Sequence, residues 1–491
     1  MSVLHGVATT PRTTRQAWAA GLALLLGLGA AAATEPDRAP SPAAAPGVPA
    51  TSTAAVDART AADAEFNRLF GAGQFEAAVE QARKVVELTG QASPPRPEEL
   101  QAALMNLALA QRRAGDFLAA EASYLRVIEL LETAGRLTSP RLARAHAGLA
   151  LTYYDARRYD LAAASFERAI ALNRRAEGLF NEAQLPLLDR QANALTEIGR
   201  LEDAQLARRY ALRVTERRHG ERSLPYAQQL ESLARWYTRV GAYESSRAAL
   251  RRAIDVIVSL QGPESTELIG PLTAAAENAR RWIADPQLRE AAADAERSEM
   301  FHDVTMPTPP SLALSAIATE GQRALERAVA IVDAHPDASP EMVAGVQAQL
   351  GDWHQARQQP DKALPYYRKA WQVAGKAPDA AALRRKLFDA PLLLHYVVPG
   401  EWDRYARRPA EDVELRSLEV ELTVTAQGGV TDVRAAPDLD KDLAGQMLRA
   451  AATARYRPRM VDGEPLATSG VRFLQPWYVL REKDAPAQGG G

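Results

Sequence analysis

Apolar residues recur with helical spacing over residues 60–280, interrupted at regular intervals by short turns. Leu104–Ala110 opens one predicted helix, Ala119–Leu131 carries the apolar period of the next, and Gly115-Asp116 forms a tight turn between them. Small residues at Ala108 and Ala120 let the two helices approach closely. The pattern predicts a helical hairpin with one apolar face left uncovered, so it requires a neighbouring hairpin.

The hairpin pattern repeats every 42 residues (115−73 and 157−115). The turn slot holds Gly73, Gly115, Arg157, Gly199 and Gly241. Two residues later stand Phe75, Phe117, Tyr159, Leu201 and Tyr243. Three further on stand Ala78, Ala120, Ala162, Ala204 and Ser246. Aromatic residues are only 6% of the chain yet fill four of the five middle slots, which indicates a stacked repeat array.

This small–aromatic–small pattern resembles the tetratricopeptide repeat family, and its period resembles the kinesin light chain subtype. The inter-repeat loops that begin at Gly220 and Gly262 are again 42 residues apart (262−220). The resemblance implies a mainly α protein whose α-solenoid binds a partner. We predict the array over residues 59–305, with a degenerate sixth unit as its cap and a linker at Met306–Pro310. Further tetratricopeptide-like hairpins are expected over residues 311–390.

The family's concave groove is lined by the first helix of each unit, which implies candidate peptide-binding residues. These are Asp63, Asn67, Asp189, Asn193, Glu231 and Arg235. Asn67 and Asn193 occupy the same slot, three periods apart (193−67=126). An asparagine amide can both donate to and accept from a peptide backbone, although an ordinary surface amide is the alternative. A cluster of arginines near Arg208 is interpreted as a solvated helix face, with a site for an acidic partner or anionic lipid as the alternative.

After Pro391 the apolar period changes from helical to alternating. Leu418–Thr425 is predicted as a half-buried strand, Gly428-Gly429 as a turn and Val430–Ala436 as the partner strand. Leu439–Ala454 is predicted as an amphipathic helix. Leu466–Leu474 is predicted as a strand in the same antiparallel sheet, with the helix on its face.

This region resembles the C-terminal domain of the TonB family. The resemblance rests on Gly429-Val430, Tyr456-Arg457-Pro458, Asp462–Pro465 and Phe473, in the family's order. It implies a small α+β domain over residues 400–481, followed by a flexible tail at 482–491. It also implies a sheet edge that accepts a partner strand, for which Val471, Arg472 and Phe473 are candidates. An edge covered by Trp477–Arg481 or by the helical domain is the alternative.

The N-terminus predicts an export signal over residues 1–33. Arg12 and Arg15 precede the apolar run Trp18–Ala33, which ends in small residues. The Pro- and Ala-rich residues 34–58 are predicted to be a disordered linker. Together with the TonB resemblance, the signal predicts a periplasmic protein, and an uncleaved inner-membrane anchor is the alternative.

Composition narrows the function classes. The chain has 491 residues, a formal net charge of −2 and no cysteine, which excludes disulfides and thiolate sites and gives no reason to expect nucleic acid. Its seven histidines show no metal-ligand spacing, and no nucleophile or phosphate-binding motif is present. We therefore predict a non-enzymatic adaptor without cofactor or metal that binds protein or peptide partners in the cell envelope. A TonB-type energy transducer is the alternative, and membrane contact and oligomeric state stay open.

Overall fold

The computed structural model describes residues 50–285, 310–396, 413–435 and 441–480. The predicted signal peptide, most of the predicted linker and the predicted tail lie outside these ranges. The chain divides into two compact units, one ending at Val214 and the other beginning at Thr215. No helix within the described ranges is long and apolar enough to span a membrane.

The unit that ends at Val214 is built from helical hairpins. Its helices are α1 (Ala50–Gly71), α2 (Phe75–Gly90), α3 (Pro97–Ala114), α4 (Phe117–Thr133), α5 (Pro140–Asp155), α6 (Tyr159–Glu177), α7 (Leu185–Glu197) and α8 (Leu201–His219), the last of which continues beyond Val214. Helix α1 packs on α2, α3 on α4 and α5 on α6. The hairpins also pack on one another, α2 against α3 and α4 against α5, as a stacked array requires.

The 42-residue register is confirmed at two of its slots. All five turn residues adopt a positive φ, including Arg157 at 59°, and Gly115 closes α3 in the left-handed conformation that glycine tolerates best. The five small residues from Ala78 to Ser246 have 0% exposure, because they lie where paired helices cross. The rings at Phe75, Tyr159 and Tyr243 are only half-buried and pack against the end of a helix next to the turn.

The unit that begins at Thr215 continues with helices α9 to α15. They are α9 (Leu224–Arg239), α10 (Tyr243–Gln261), α11 (Ile269–Ala284), α12 (Pro310–Ala334), α13 (Pro340–Ala356), α14 (Pro360–Ala374) and α15 (Ala380–Phe388). Helix α9 pairs with α10, and α13 with α14. At the start of α13 the Ser339 hydroxyl accepts from the Met342 N–H (3.2 Å), and Pro340 suits the first helical turn.

The sixth hairpin differs from the expected cap. Helix α12 packs along α11, and Ile317 and Leu325 share an apolar cluster with Ala279 and with Trp353 of α13. The segment 311–334 is therefore the second helix of the sixth hairpin, and the α13–α14 hairpin stacks on it. The turn of that last hairpin has the same backbone conformation as the turns of the array, because Gln358 adopts a positive φ of 59° five residues before the buried Ala363.

The described part of this unit also contains seven strands. They are β1 (Leu392–His395), β2 (Val413–Val424), β3 (Val430–Ala435), β4 (Arg455–Arg457), β5 (Arg459–Val461), β6 (Glu464–Leu466) and β7 (Thr468–Leu480), with α16 (Lys441–Ala452) between β3 and β4. The order β3-β2-β7 forms an antiparallel sheet, while β1 pairs with β4 and β5 with β6. Met447 and Ala451 of α16 pack on Val420 of the sheet.

The predicted strands and helix of this region are confirmed, with shifted ends. Strand β2 begins before Leu418, and β7 runs to Leu480. Trp477 is paired with Arg416 of β2 within β7, so residues 477–480 extend the strand and do not fold over its edge. The structure shows a three-stranded sheet and one helix in this region. These elements alone do not identify a TonB-type fold.

The strands are attached to the last helical hairpin by a buried ion pair. Arg457 of β4 binds Asp352 of α13 through two hydrogen bonds, Nε to Oδ1 (2.8 Å) and Nη2 to Oδ2 (2.5 Å). Arg457 also donates to the Leu387 carbonyl oxygen (2.8 Å), and the Tyr367 hydroxyl donates to Asp352 Oδ1 (3.0 Å). The α+β part therefore shares its core with α13–α15, and it begins with β1, before the predicted boundary at residue 400.

Candidate functional site

The candidate groove residues of α1 lie close together on the helix surface. Asn67 is exposed, Asp63 is half-buried, and the Asn67 side-chain amide donates to the Asp63 carbonyl oxygen (2.9 Å). This hydrogen bond links residues one helical turn apart, so it orients the Asn67 amide without involving another helix. The pair is available at the surface for a ligand.

On α7 the corresponding candidate residues, Asp189 and Asn193, bind a buried arginine of the next helix. Arg208 of α8 donates from Nη1 to Asp189 Oδ1 (2.6 Å) and from Nη2 to Asn193 Oδ1 (2.8 Å). The Asn193 amide donates to the second oxygen of Asp189 (3.3 Å). Arg208 is only 6% exposed, and the Asp189 carboxylate compensates its buried charge while the Asn193 amide oxygen accepts a second hydrogen bond. Asp189 and Asn193 are thus half-buried partners of Arg208.

The interpretation of Arg208 as part of a solvated face is wrong. Arg208 stands in the slot that holds Tyr124, Phe166 and Leu250, again 42 residues apart (166−124, 208−166 and 250−208). Those three side chains are buried in their hairpins. The register was sufficient to place Arg208 inside, and a buried guanidinium would then have pointed to an acidic partner.

In the unit that begins at Thr215, the first-helix face contains a cavity of about 240 Å³. Arg235 of α9, Glu277 and Arg280 of α11, and Asp352 and Trp353 of α13 line it. Glu277 occupies the same slot as Arg235, one period later (277−235=42). Three successive first helices therefore line one concave space, which we call the groove cavity.

Neighbouring charges hold these groove side chains in place. Arg235 donates to Glu231 Oε1 (2.7 and 3.0 Å) and to the Gly270 carbonyl oxygen (3.3 Å). Arg280 donates to Glu277 (2.6 and 2.9 Å) and to the carbonyl oxygen of Leu394 in β1. The groove cavity thus has a defined arrangement of donors and acceptors instead of freely rotating side chains.

Glu277 remains ionised at the wall of this cavity. Burial by itself would raise the pKa of Glu277, but the positive charges of Arg280 and Arg281 and their hydrogen bonds outweigh burial and lower the pKa below its ordinary value. The cavity therefore offers a carboxylate acceptor beside guanidinium donors. Such a set suits the N–H and C=O groups of an extended peptide.

The repeat pattern predicted only some of the residues that line the groove cavity. Arg235 lines the groove cavity, and Glu231 holds it. Glu277 and Arg280 were missed because the degenerate sixth unit was interpreted as a cap; the 42-residue register would have shown Glu277. Asp352 and Trp353 come from a hairpin outside that register, so the period gave no signal for them.

Strand β7 forms one edge of the three-stranded sheet. The Thr425 N–H donates to Gly429 O (2.9 Å), so odd-numbered residues of β2 turn their backbone groups toward β3 and even-numbered residues turn theirs toward β7. Arg472 pairs with Glu421, and its own N–H and C=O therefore point away from β2. Its side chain is exposed, whereas Val471 and Phe473 pack into the core.

This edge is open among the described elements. Strand β2 is the only described element with an extensive contact along β7. The bulge in β7 between the residues paired with Leu422 and Val424 lies near Gly470, whose φ is 69°. From Val471 to Gln475 the edge is regularly paired with β2, so it offers backbone groups to an added strand as far as Pro476, which has no N–H to donate.

Within the described residues, no group of His, Asp and Glu side chains is arranged to hold a metal ion. Two of the predicted binding residues lie on candidate binding surfaces, Arg235 at the groove cavity and Arg472 at the β7 edge.

A family model for the tetratricopeptide repeat matches residues 99–175. These residues are tetratricopeptide repeats. The match covers α3 to α6 almost completely, and it confirms the predicted repeat type there. A comparison with curated proteins gave no match.

Several solved structures align with part of the chain. BtubC (BKLC) from P. vanneervenii is 16% identical over 43% of this chain and 91% of its own, with a TM-score of 0.36. A putative kinesin light chain from Podosopora anserina is 18% identical over 43% and 97%, with a TM-score of 0.37. The quorum sensor NprR from B. thuringiensis is 13% identical over 64% and 87%, with a TM-score of 0.32. Likenesses of this size say nothing about what the present chain binds.

Proposed function

We propose that this protein is a non-enzymatic scaffold that binds an extended segment of a protein partner through its tetratricopeptide groove. The observation that carries the proposal is the groove cavity, in which α9, α11 and α13 place Arg235, Glu277, Arg280 and Gln349 around one space. Donors and acceptors set on three helices can hold a peptide backbone in one orientation. Because the charged side chains among them are already oriented by ion pairs, little conformational entropy is lost on binding.

The groove proposal predicts a selective effect of Arg235. Peptides selected from a random-sequence display library on the full chain should bind the Arg235→Ala variant about tenfold more weakly, since loss of a charge-assisted hydrogen bond costs on the order of 1.5 kcal/mol or more. Fluorescence anisotropy with the selected peptides measures the change. Arg239→Ala, on the same helix and outside the groove cavity, serves as the matched control and should change affinity less than about twofold. Equal affinities for wild type and Arg235→Ala would place the binding surface elsewhere.

We further propose that the scaffold is exported to the periplasm of a Gram-negative cell and that its C-terminal sheet docks a second envelope protein, as its resemblance to the TonB C-terminal domain suggests. The apolar run Trp18–Ala33 and its small-residue end support export. The open edge of β7 supports docking by strand addition.

Export predicts a processed N-terminus. In a Gram-negative host, the mature chain should begin near Thr34 and be recovered with the periplasmic fraction, as N-terminal sequencing after osmotic shock would measure. An inner-membrane protein that retains Trp18–Ala33 would contradict export as a free protein and favour the energy transducer. That transducer is the second candidate, but the run contains only Gly, Ala and Leu from Ala19 onward, without the Ser and His that motor coupling uses in the family.

A further inference from the structure

A second cavity, of about 220 Å³, lies on the side of the second helices, between α10 and α12 and above α11. We call it the second-helix trough. Its walls are two regular helix faces, residues 247, 250, 251 and 254 of α10 and residues 320, 323, 324 and 327 of α12. These spacings place each set on one side of its helix. The trough is separate from the groove cavity, and the inference below does not rest on the proposed peptide groove.

The rim of the trough is strongly basic. Four guanidinium groups line it, Arg247, Arg251, Arg323 and Arg327, against the single carboxylate of Glu320. The five charges sum to +3 (4−1), which is notable in a chain whose formal net charge is −2. A concave site lined by one sign of charge concentrates ligands of the opposite sign.

Only part of this positive charge is used by the protein itself. Glu320 accepts from Arg247 (2.6 and 3.1 Å) and from Arg251 (3.2 Å). Arg327 donates to the Pro263 carbonyl oxygen (2.9 Å), which leaves its charge uncompensated. Arg323 is exposed and makes no side-chain hydrogen bond or ion pair with any described residue. The α12 wall therefore carries two positive charges that no described carboxylate neutralises.

Below this rim the lining is apolar except for Asn278, whose amide is hydrogen-bonded to Thr238 and to the Tyr243 carbonyl oxygen. Leu250 and Ile317 are buried in its walls, and Leu272 and Trp282 form part of its floor. The Trp282 ring stacks on Tyr243, with ring centroids 6.0 Å apart, and this contact fixes its orientation. A ligand that enters would place carbon atoms against these side chains and an anionic end among the arginines.

We propose that the second-helix trough binds a small amphiphilic carboxylate, with its apolar part against Leu272 and Trp282 and its carboxylate between Arg323 and Arg327. The cavity suits a short aliphatic chain or a single ring and is smaller than typical drug-sized sites. The same chemistry occurs in a free carboxylic acid and in the C-terminal residue of a peptide. The two sources are distinguished by the probes below.

The test uses the full chain and isothermal titration calorimetry at low ionic strength. The probes are octanoate, octanol, and a tripeptide ending in phenylalanine, as the free acid and as the C-terminal amide. Octanoate should bind, octanol should bind at least fivefold more weakly, and raising the salt concentration should weaken octanoate but not octanol. Binding of the peptide acid and not of octanoate would assign the site to peptide C-termini.

Two variants localise the binding. Arg323→Gln combined with Arg327→Gln should weaken the bound carboxylate at least tenfold, and Ala275→Leu should block it by filling the floor. Arg357→Gln, an exposed arginine outside the trough, is the matched control and should leave affinity unchanged. The proposal is overturned if no carboxylate probe binds, if octanol binds as tightly as octanoate, or if Arg357→Gln weakens binding as much as the double variant.

Discussion

Asp352→Asn is expected to loosen the attachment of the strands to the last hairpin by about 3–5 kcal/mol, because it leaves the Arg457 guanidinium buried without a counter-charge. The side chains of Arg457 and Asp352 are only 7% and 12% exposed, so water cannot replace the lost carboxylate. The same substitution leaves the Tyr367 hydroxyl with a neutral amide oxygen as its acceptor in place of a carboxylate oxygen. Hydrogen exchange of backbone amides in β1, β4 and α15 should therefore accelerate by about 100-fold or more, as 1.36 kcal/mol corresponds to tenfold.

A surface ion pair between the same parts of the molecule supplies the control. Arg368 of α14 binds Glu464 of β6 (2.6 Å), but the two side chains are 45% and 63% exposed. Arg368→Ala should cost less than about 1 kcal/mol. Replacing both buried partners, Asp352→Leu with Arg457→Met, should recover most of the stability lost in Asp352→Asn, because no charge then remains buried. Exchange rates in Asp352→Asn equal to those in Arg368→Ala would show that the buried pair does not hold the strands.

Local pattern was sufficient for most of the helical architecture. Ala120 and Ala162 each follow a turn residue and precede apolar residues at helical spacing. Each hairpin could therefore be recognised within a single 42-residue repeat. The same holds for the β2–β3 hairpin, where alternation and Gly428-Gly429 coincide. In these elements the contacts that decide the structure lie close together in the sequence.

The features that the sequence did not reveal depend on distant residues. Arg457 and Asp352 are 105 residues apart, and neither side chain differs in its local pattern from a solvated one. Helix α12 joins α11 across residues 286–309, so its place in the sixth hairpin could not be obtained from the 42-residue spacing. The 42-residue spacing also gave no indication that α13 lines the groove cavity, because the last hairpin follows this interruption.

Separate expression of the array and the C-terminal sheet would therefore be an unsuitable way to assign partners. Met460 and Arg457 lie in a core shared with Tyr367 and Phe388 of the helical hairpin and α15. Division near residue 400 would expose this core and break the Arg457–Asp352 pair. Single substitutions in the full chain keep both parts folded and allow each binding surface to be tested in place.

Arg472→Pro is the substitution that tests the docking edge of β7, and it should abolish capture of a partner that binds by strand addition. The Arg472 N–H points away from β2, so proline removes a donor from the open edge without removing a hydrogen bond of the sheet. Arg472→Ala is the matched control, because it removes the exposed side chain and its contact with Glu419 (3.4 Å) but keeps the N–H. Affinity capture of cross-linked envelope proteins on the full chain should give the same partners for wild type and Arg472→Ala and lose them for Arg472→Pro. Circular dichroism and exchange protection of β2 should match in all three. A correctly folded Arg472→Pro protein that keeps every partner would exclude this edge, and loss of partners in Arg472→Ala as well would assign recognition to the guanidinium instead of the backbone.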